Sequence, residues 1–264
     1  MNARSWLILP VLLSSIALAA RWSTPPKTSE DFQVSGRYRF GSNYTITLRV
    51  QGSGPMRSLD IQQGEELVYH KTVRCHDLFL GDVRWENRPV AKDANSDGIS
   101  DLIITEYLGD HACVTRVVQL GAHFQELDSF ESESPPELSR DGQGRLLAKT
   151  RDQTWIGWRY GSASSPRPRI VLRLEGARFQ LAPELMREKP DFELLLESAN
   201  SDSPALLTQA MTRLLYTGHP DLCLQALRRS GLTKQQQTNF LHDFRERLGT
   251  SPWANELAQG ALRK

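Results

Sequence analysis

Several things are missing from this 264-residue chain, and each absence removes a class of function. Beyond residue 20 no apolar run approaches the roughly 20 residues that a membrane-spanning helix needs. Charge of neither sign dominates, because 32 Lys and Arg face 31 Asp and Glu. A phosphate backbone calls for a basic surplus, so nucleic acid is not an expected partner. Three cysteines are too few for a disulfide framework. There is no Gly-x-Ser-x-Gly elbow, no His-Glu-x-x-His pair and no phosphate-cradling glycine loop before a helix. Asp82, Glu106, Asp110 and His111 are acid–base types, but without a motif they are expected to be solvated turn residues. His219, before Pro220, is expected at a helix terminus, and no catalytic residue is assigned.

The N-terminus reads as an export signal. Arg4 precedes an apolar run from Trp6 to Ala20, and Ala17-Leu18-Ala19 supplies a small-residue cleavage pattern. The run is about 15 residues long and carries Pro10, too short for a span. Residues 1–19 are therefore expected to be a cleaved signal peptide, and the Ser/Thr/Pro/Lys-rich residues 20–31 a disordered tether. The mature chain is expected in the periplasm or secreted, with no membrane span left. Losing Arg4 leaves equal numbers of basic and acidic residues.

The stretch Asp93-Ala94-Asn95-Ser96-Asp97-Gly98-Ile99-Ser100-Asp101-Leu102 carries the chemistry. Oxygen-bearing side chains stand at loop positions 1, 3, 5 and 9, with glycine at 6. Ca²⁺ takes six to eight oxygens at about 2.3–2.6 Å. Asp93, Asn95, Asp97 and Asp101 would supply side-chain oxygens and Ile99 its carbonyl, while Gly98 takes the sharp turn. An EF-hand needs a bidentate Glu at position 12; Ile104 stands there. The residues from Leu102 to Tyr107 are rich in β-branched and aromatic types, the pattern of a buried strand.

That loop running into a strand resembles the FG-GAP or VCBS type repeat of integrin-like β-propeller blades. The resemblance continues through Glu106-Tyr107-Leu108-Gly109-Asp110-His111-Ala112-Cys113 and Val118-Gln119-Leu120-Gly121 to a set of secreted bacterial proteins. In that set a Gly-Gly-Ala-His-Cys-Cys type turn follows the strand; this chain has one of the paired cysteines, and its His is displaced by one place. Ser165 to Leu172, Leu185-Met186-Arg187 and Tyr216 to Leu222 fit as well. The resemblance covers roughly residues 70 to 260. It implies a blade-like fold and carries no activity with it.

Cys75 and Cys113 flank the loop in a β-rich region and are expected to form a disulfide. Such a bridge would close a loop of about 40 residues and stabilise by roughly 2–4 kcal/mol. A zinc site built from Cys75, His76, His111 and Cys113 is the competing reading. It is disfavoured because adjacent strand residues point to opposite faces. Cys223 is expected to be a buried thiol on a helix.

From Phe32 onward short strands alternate with turn residues, among them Tyr44–Val50, Leu59–Ile61, Glu66–His70, Leu78–Leu80 and Val114–Leu120. Ser139 to Leu146 echoes the cation loop, but Arg140 and Arg145 bring positive charge where an ion would sit, so it is expected to hold no metal. Trp155–Tyr160, Ile170–Leu174 and Ala177–Leu181 complete the β pattern, with Trp155 and Trp158 on opposite faces of their strand. At Pro183 the texture becomes helical: Glu184–Leu196, Ala205–Leu215, a helix capped by Thr233 over Lys234–Leu248, and a short last helix. The fold class expected is α+β. An antiparallel all-β domain over residues 32–182, propeller-blade-like or a sandwich, precedes a small helical bundle over residues 183–264. The function expected is a secreted calcium-binding β module with an unidentified protein or glycan partner and no catalysis. An exported hydrolase with the β domain as accessory is the alternative.

Overall fold

The computed structural model describes residues 32–41, 43–52, 54–81, 91–109, 112–159, 161–190, 193 and 203–258. The expected signal peptide and tether, Asp82, Asp110, His111 and Tyr160 lie outside them. Among the described residues twelve strands form three four-stranded antiparallel sheets. Sheet 1 comprises β1 (Phe32–Phe40), β2 (Tyr44–Gln51), β3 (Met56–Gln63) and β4 (Glu66–Arg74). Sheet 2 comprises β5 (Asp77–Leu80), β6 (Asp101–Gly109), β7 (Ala112–Leu120) and β8 (Phe124–Ser132). Sheet 3 comprises β9 (Glu137–Arg140), β10 (Leu146–Arg151), β11 (Arg169–Glu175) and β12 (Arg178–Leu181). Strands follow one another in chain order within every sheet, the up-and-down order of a propeller blade, and the sheets close no barrel. Helices α1 (Pro204–Tyr216), α2 (Pro220–Arg229), α3 (Lys234–Leu248) and α4 (Ala254–Leu257) follow. The expected α+β class is what the chain adopts.

The continuous apolar run of β6 has a structural cause. Leu102 and Ile104, with Val118 of β7, face sheet 1, where they pack with Ile46, Leu59 and Ile61. Ile103, between them, joins Val117, Leu146, Leu172 and Trp155 on the other side. Sheet 2 is therefore covered on both faces, and alternate residues of one strand feed two cores.

The larger core does not stop at residue 182. It runs from Ile103 and Phe130 of sheet 2 through Leu172 and Leu174 of sheet 3 to Met211, Leu215, Phe240 and Phe244 of the helices. A buried polar network crosses the same junction. Trp155 Nε1 donates to Tyr216 Oη (3.1 Å), and Tyr216 Oη donates to Asp152 Oδ2 (2.5 Å). Ser251 Oγ donates to the same carboxylate oxygen (2.9 Å). Burial and the Asp152 charge together push the Tyr216 phenol up. The helices share the core of sheet 3.

Two sequence-based elements come out differently. Trp155–Arg159 is a turn, with Gly157 and Arg159 in the left-handed region at φ 71° and 60°, conformations that end a strand. Trp155 and Trp158 therefore pack edge to face at 5.4 Å, not on opposite faces. Trp155 is fully buried against Phe244 (4.7 Å), which removes it from any binding groove. In the described part of Glu184–Leu196 a 3-10 turn, Pro183–Leu185, and irregular chain to Pro190 come before Glu193, which is helical.

The expected Cys75–Cys113 disulfide is not formed. Both residues are buried thiols. Strand β6 stands between them: His76 N donates to Tyr107 O (2.7 Å) from one side, and Tyr107 pairs with Cys113 on the other. Two strand spacings of about 4.8 Å exceed the Cα separation of about 7 Å that a disulfide tolerates. Burial pushes the Cys75 thiol up to about 11. Cys223 is likewise buried, its Sγ donating to Met211 O (3.2 Å), as expected of a helical core residue.

Candidate cation site

The loop from Asp93 to Ser100 closes over the start of β6. Its base is strapped by paired backbone bonds between Lys92 and Asp101 (3.0 and 3.1 Å). Gly98 takes φ 86°, the turn expected of it, and Ser96 also lies in the left-handed region at φ 66°. These turns aim backbone N–H groups at Asp93, whose Oδ1 accepts from Ser96 N (2.6 Å) and Asp97 N (3.1 Å) and whose Oδ2 accepts from Gly98 N (2.7 Å). Asp97 Oδ1 accepts from Ile99 N (2.8 Å), and Oδ2 accepts from Asn95 Nδ2 (3.0 Å) and Gln119 Nε2 (2.6 Å). Partial burial raises the Asp97 carboxyl, and these donors outweigh it and hold the group below its ordinary value.

Asp101 is the unusual member. It is 1% exposed; Oδ2 accepts from Ala94 N (2.7 Å), and Oδ1 is buried with no hydrogen-bond partner. Desolvation, reinforced by the charges of Asp97 and Asp93 against the Ala94 N–H, pushes its carboxyl up to about 6. A carboxylate left half-satisfied among two others is costly, and a hard cation at that place would relieve all three. Asp93, Asn95, Asp97 and Asp101 lie in one compact loop. Their oxygens are not drawn into a closed cage, because the three carboxylates do not all come within 4.8 Å of one another. The group that does, among the described residues, is His242, Asp243 and Glu246 on α3. That trio lies on the outer surface of the helix, and Asp243 is bound by Arg159.

Several groups around the loop have no counterpart in its motif. Ala94 O accepts from Leu146 N (2.7 Å), Ser96 Oγ donates to Gln143 O (2.9 Å) and Asn95 Nδ2 donates to Gly176 O (2.8 Å). The Arg140 guanidinium donates to Asp93 O and to Gly144 O. The loop is therefore docked on the β9–β10 and β11–β12 turns of sheet 3. The β9–β10 turn is the segment expected to hold no metal. There Asp141 accepts from Gln143 N (2.9 Å) and Arg145 N (3.0 Å), and Arg145 and Arg173 meet its charge. Gln119 was findable only through strand register, since it pairs with Asp101 across β6 and β7 and so shares its face.

Of the acid–base types singled out in the sequence, Glu106 is buried between Lys71 (2.7 Å) and Arg116 (3.2 Å). The His219 imidazole Nε2 meets Glu188 O (2.7 Å) at the start of α2. Neither opens on the loop. No family model, curated protein or solved structure matches this chain.

Proposed function

We propose that the chain is an exported, calcium-binding β module whose role is binding, in a periplasmic or secreted setting. The observation that supports this most is Asp101 Oδ1, a fully buried carboxylate oxygen without a partner beside two further carboxylates. The donor set is all oxygen, which suits Ca²⁺ better than a thiophilic or imidazole-seeking ion. The ion would take Asp93, Asn95, Asp97, Asp101 and the Ile99 carbonyl, drawing the loop closed, and its charge would keep Asp101 ionised. Export is inferred from Arg4 and the apolar run to Ala20. Among the described residues no helix is long and apolar enough to cross a membrane. The likeness to FG-GAP or VCBS repeats is part of the same proposal and rests on the loop and the blade-like strand order. Titration calorimetry of the mature chain should give one calcium per chain, with Kd on the order of 10⁻⁴–10⁻³ M, the range of extracellular modules. Asp97→Ala should abolish it, and equal calcium binding by variant and wild type would overturn the reading.

One observation favours the hydrolase alternative. On the outer face of sheet 1, Asp60 Oδ1 meets His70 Nδ1 (2.6 Å), and His70 Nε2 meets Thr72 Oγ1 (3.2 Å). A carboxylate, an imidazole and a hydroxyl in that order is the arrangement that activates a nucleophile. Cross-strand pairing of Asp60 with His70, and the i, i+2 spacing of His70 and Thr72 on β4, produce the same contacts without catalysis. Labelling of Thr72 by a fluorophosphonate, lost in His70→Ala, would favour hydrolysis; no labelling leaves the binding role.

A further inference from the structure

A second site lies at the junction of sheet 3 and the helices. A half-open cavity of about 480 Å³ falls within the size range of small-molecule sites. One wall is apolar, built from Pro166, Pro168, Val171, Leu185 and Met186. The rim carries Lys149, Arg167, Arg169 and Arg213 against one acid, Glu188. Two more acids meet these cations: Glu137 pairs with Lys149 (3.4 Å) and Arg169 (3.7 Å), and Glu133 pairs with Arg167. Among the described residues, four cations stand against three acids at the mouth.

The α1 wall adds an independent sign of a ligand. Thr208 and Thr217 turn their hydroxyls back onto Pro204 O (2.7 Å) and Arg213 O (2.8 Å), the usual refuge of a helical threonine. Thr212 lines the cavity, is 1% exposed, and its Oγ1 has no hydrogen-bond partner. Buried hydroxyls are ordinarily satisfied. The neighbouring Tyr216 contributes only its ring, its hydroxyl being held by Asp152.

We propose that this cavity binds an amphipathic monocarboxylate, its hydrocarbon body against the proline, valine, leucine and methionine wall and its carboxylate among the cations at the mouth. An uncharged apolar ligand would leave the positive mouth unmatched, and a small hydrophilic anion would leave the apolar wall wet. Both the end of an acyl chain and an apolar peptide C-terminus present that chemistry. The site is independent of the cation loop.

The test is titration calorimetry of the full chain in chelator, so that the calcium proposal plays no part in the result. The probes are sodium decanoate below its micelle concentration, decan-1-ol, the dipeptide Leu-Leu and its C-terminal amide. Saturable binding of one decanoate or one Leu-Leu per chain is expected, at least tenfold tighter than decan-1-ol or the amide respectively. Whichever carboxylate binds more tightly identifies the source. Arg169→Glu combined with Arg213→Glu should weaken the carboxylate tenfold or more and leave decan-1-ol unchanged, which also shows that the variant is folded. Absence of saturable carboxylate binding, equal affinity for charged and uncharged probes, or indifference to the charge reversal would each overturn the proposal.

Discussion

Asp101 gathers the electrostatics of the loop into one side chain. Its carboxyl is pushed up to about 6, so the fold without metal favours the neutral acid. A group with a raised folded-state pKa contributes stability that is present below the ordinary value near 4 and is lost as pH rises through about 6. In chelator, this residue should therefore make the wild type more stable at pH 4 than at pH 7.5, by on the order of 2 kcal/mol. Asp101→Asn should cancel that pH term, raise the melting temperature of the chelated protein at pH 7.5, and abolish any response to calcium. Calorimetric scans of both chains with and without calcium check this. A variant less stable than wild type in chelator at pH 7.5 would mean that Oδ1 is satisfied in some other way. The loop spacing pointed to Asp101 as a ligand, but its burial could not be read from spacing, because it depends on Ala94 and the sheet 3 turns closing over it.

Among the elements, those with local causes were the legible ones. The α3 start is an example: Gln236 N donates to Thr233 Oγ1 (3.3 Å) and Thr233 N donates to Gln236 Oε1 (2.8 Å), a capping box. Thr233→Ala should cost about 1 kcal/mol in urea denaturation, with the slope of the transition unchanged. The strand β6 was legible because its residue types leave few alternatives; that it feeds two cores was not, since that depends on which sheets flank it. Trp155–Arg159 reads as strand because Trp and Ile favour strands, while Gly157 and Arg159 take left-handed turns that composition does not announce. The disulfide was misread for a related reason: two cysteines in one β region suggest a pair, and only the register shows β6 between them. Both β-region thiols should accordingly stay reduced and resist alkylation until the chain unfolds, as mass mapping of the native and denatured protein would show.

For the whole molecule, the question is whether calcium in the loop matters to anything beyond sheet 2. The packing argues that it does. The loop is pinned to the turns of sheet 3, sheet 3 shares its core with the helices, and the Asp152 carboxylate ties Tyr216 of α1 and Ser251 before α4 to the end of β10. Tyr216→Phe keeps the ring and removes the hydroxyl that joins Trp155 to Asp152, so it should cost about 1–3 kcal/mol, the penalty for leaving buried partners unpaired. Cutting the chain after Ala182 is the harsher test. It strips the cover from Trp155, Leu172 and Leu174, all fully buried, and exposes a large apolar face. That fragment should fail to fold and should show no calcium response, although every loop residue remains in it. The intact chain should unfold in one transition, followed alike by Trp fluorescence at the helix junction and by far-ultraviolet circular dichroism. Calcium should move both signals together. A fragment that folds and keeps its calcium response would show that the helices stabilise only themselves, and the carboxylate cavity on α1 would then have to be sought as the work of a separate unit.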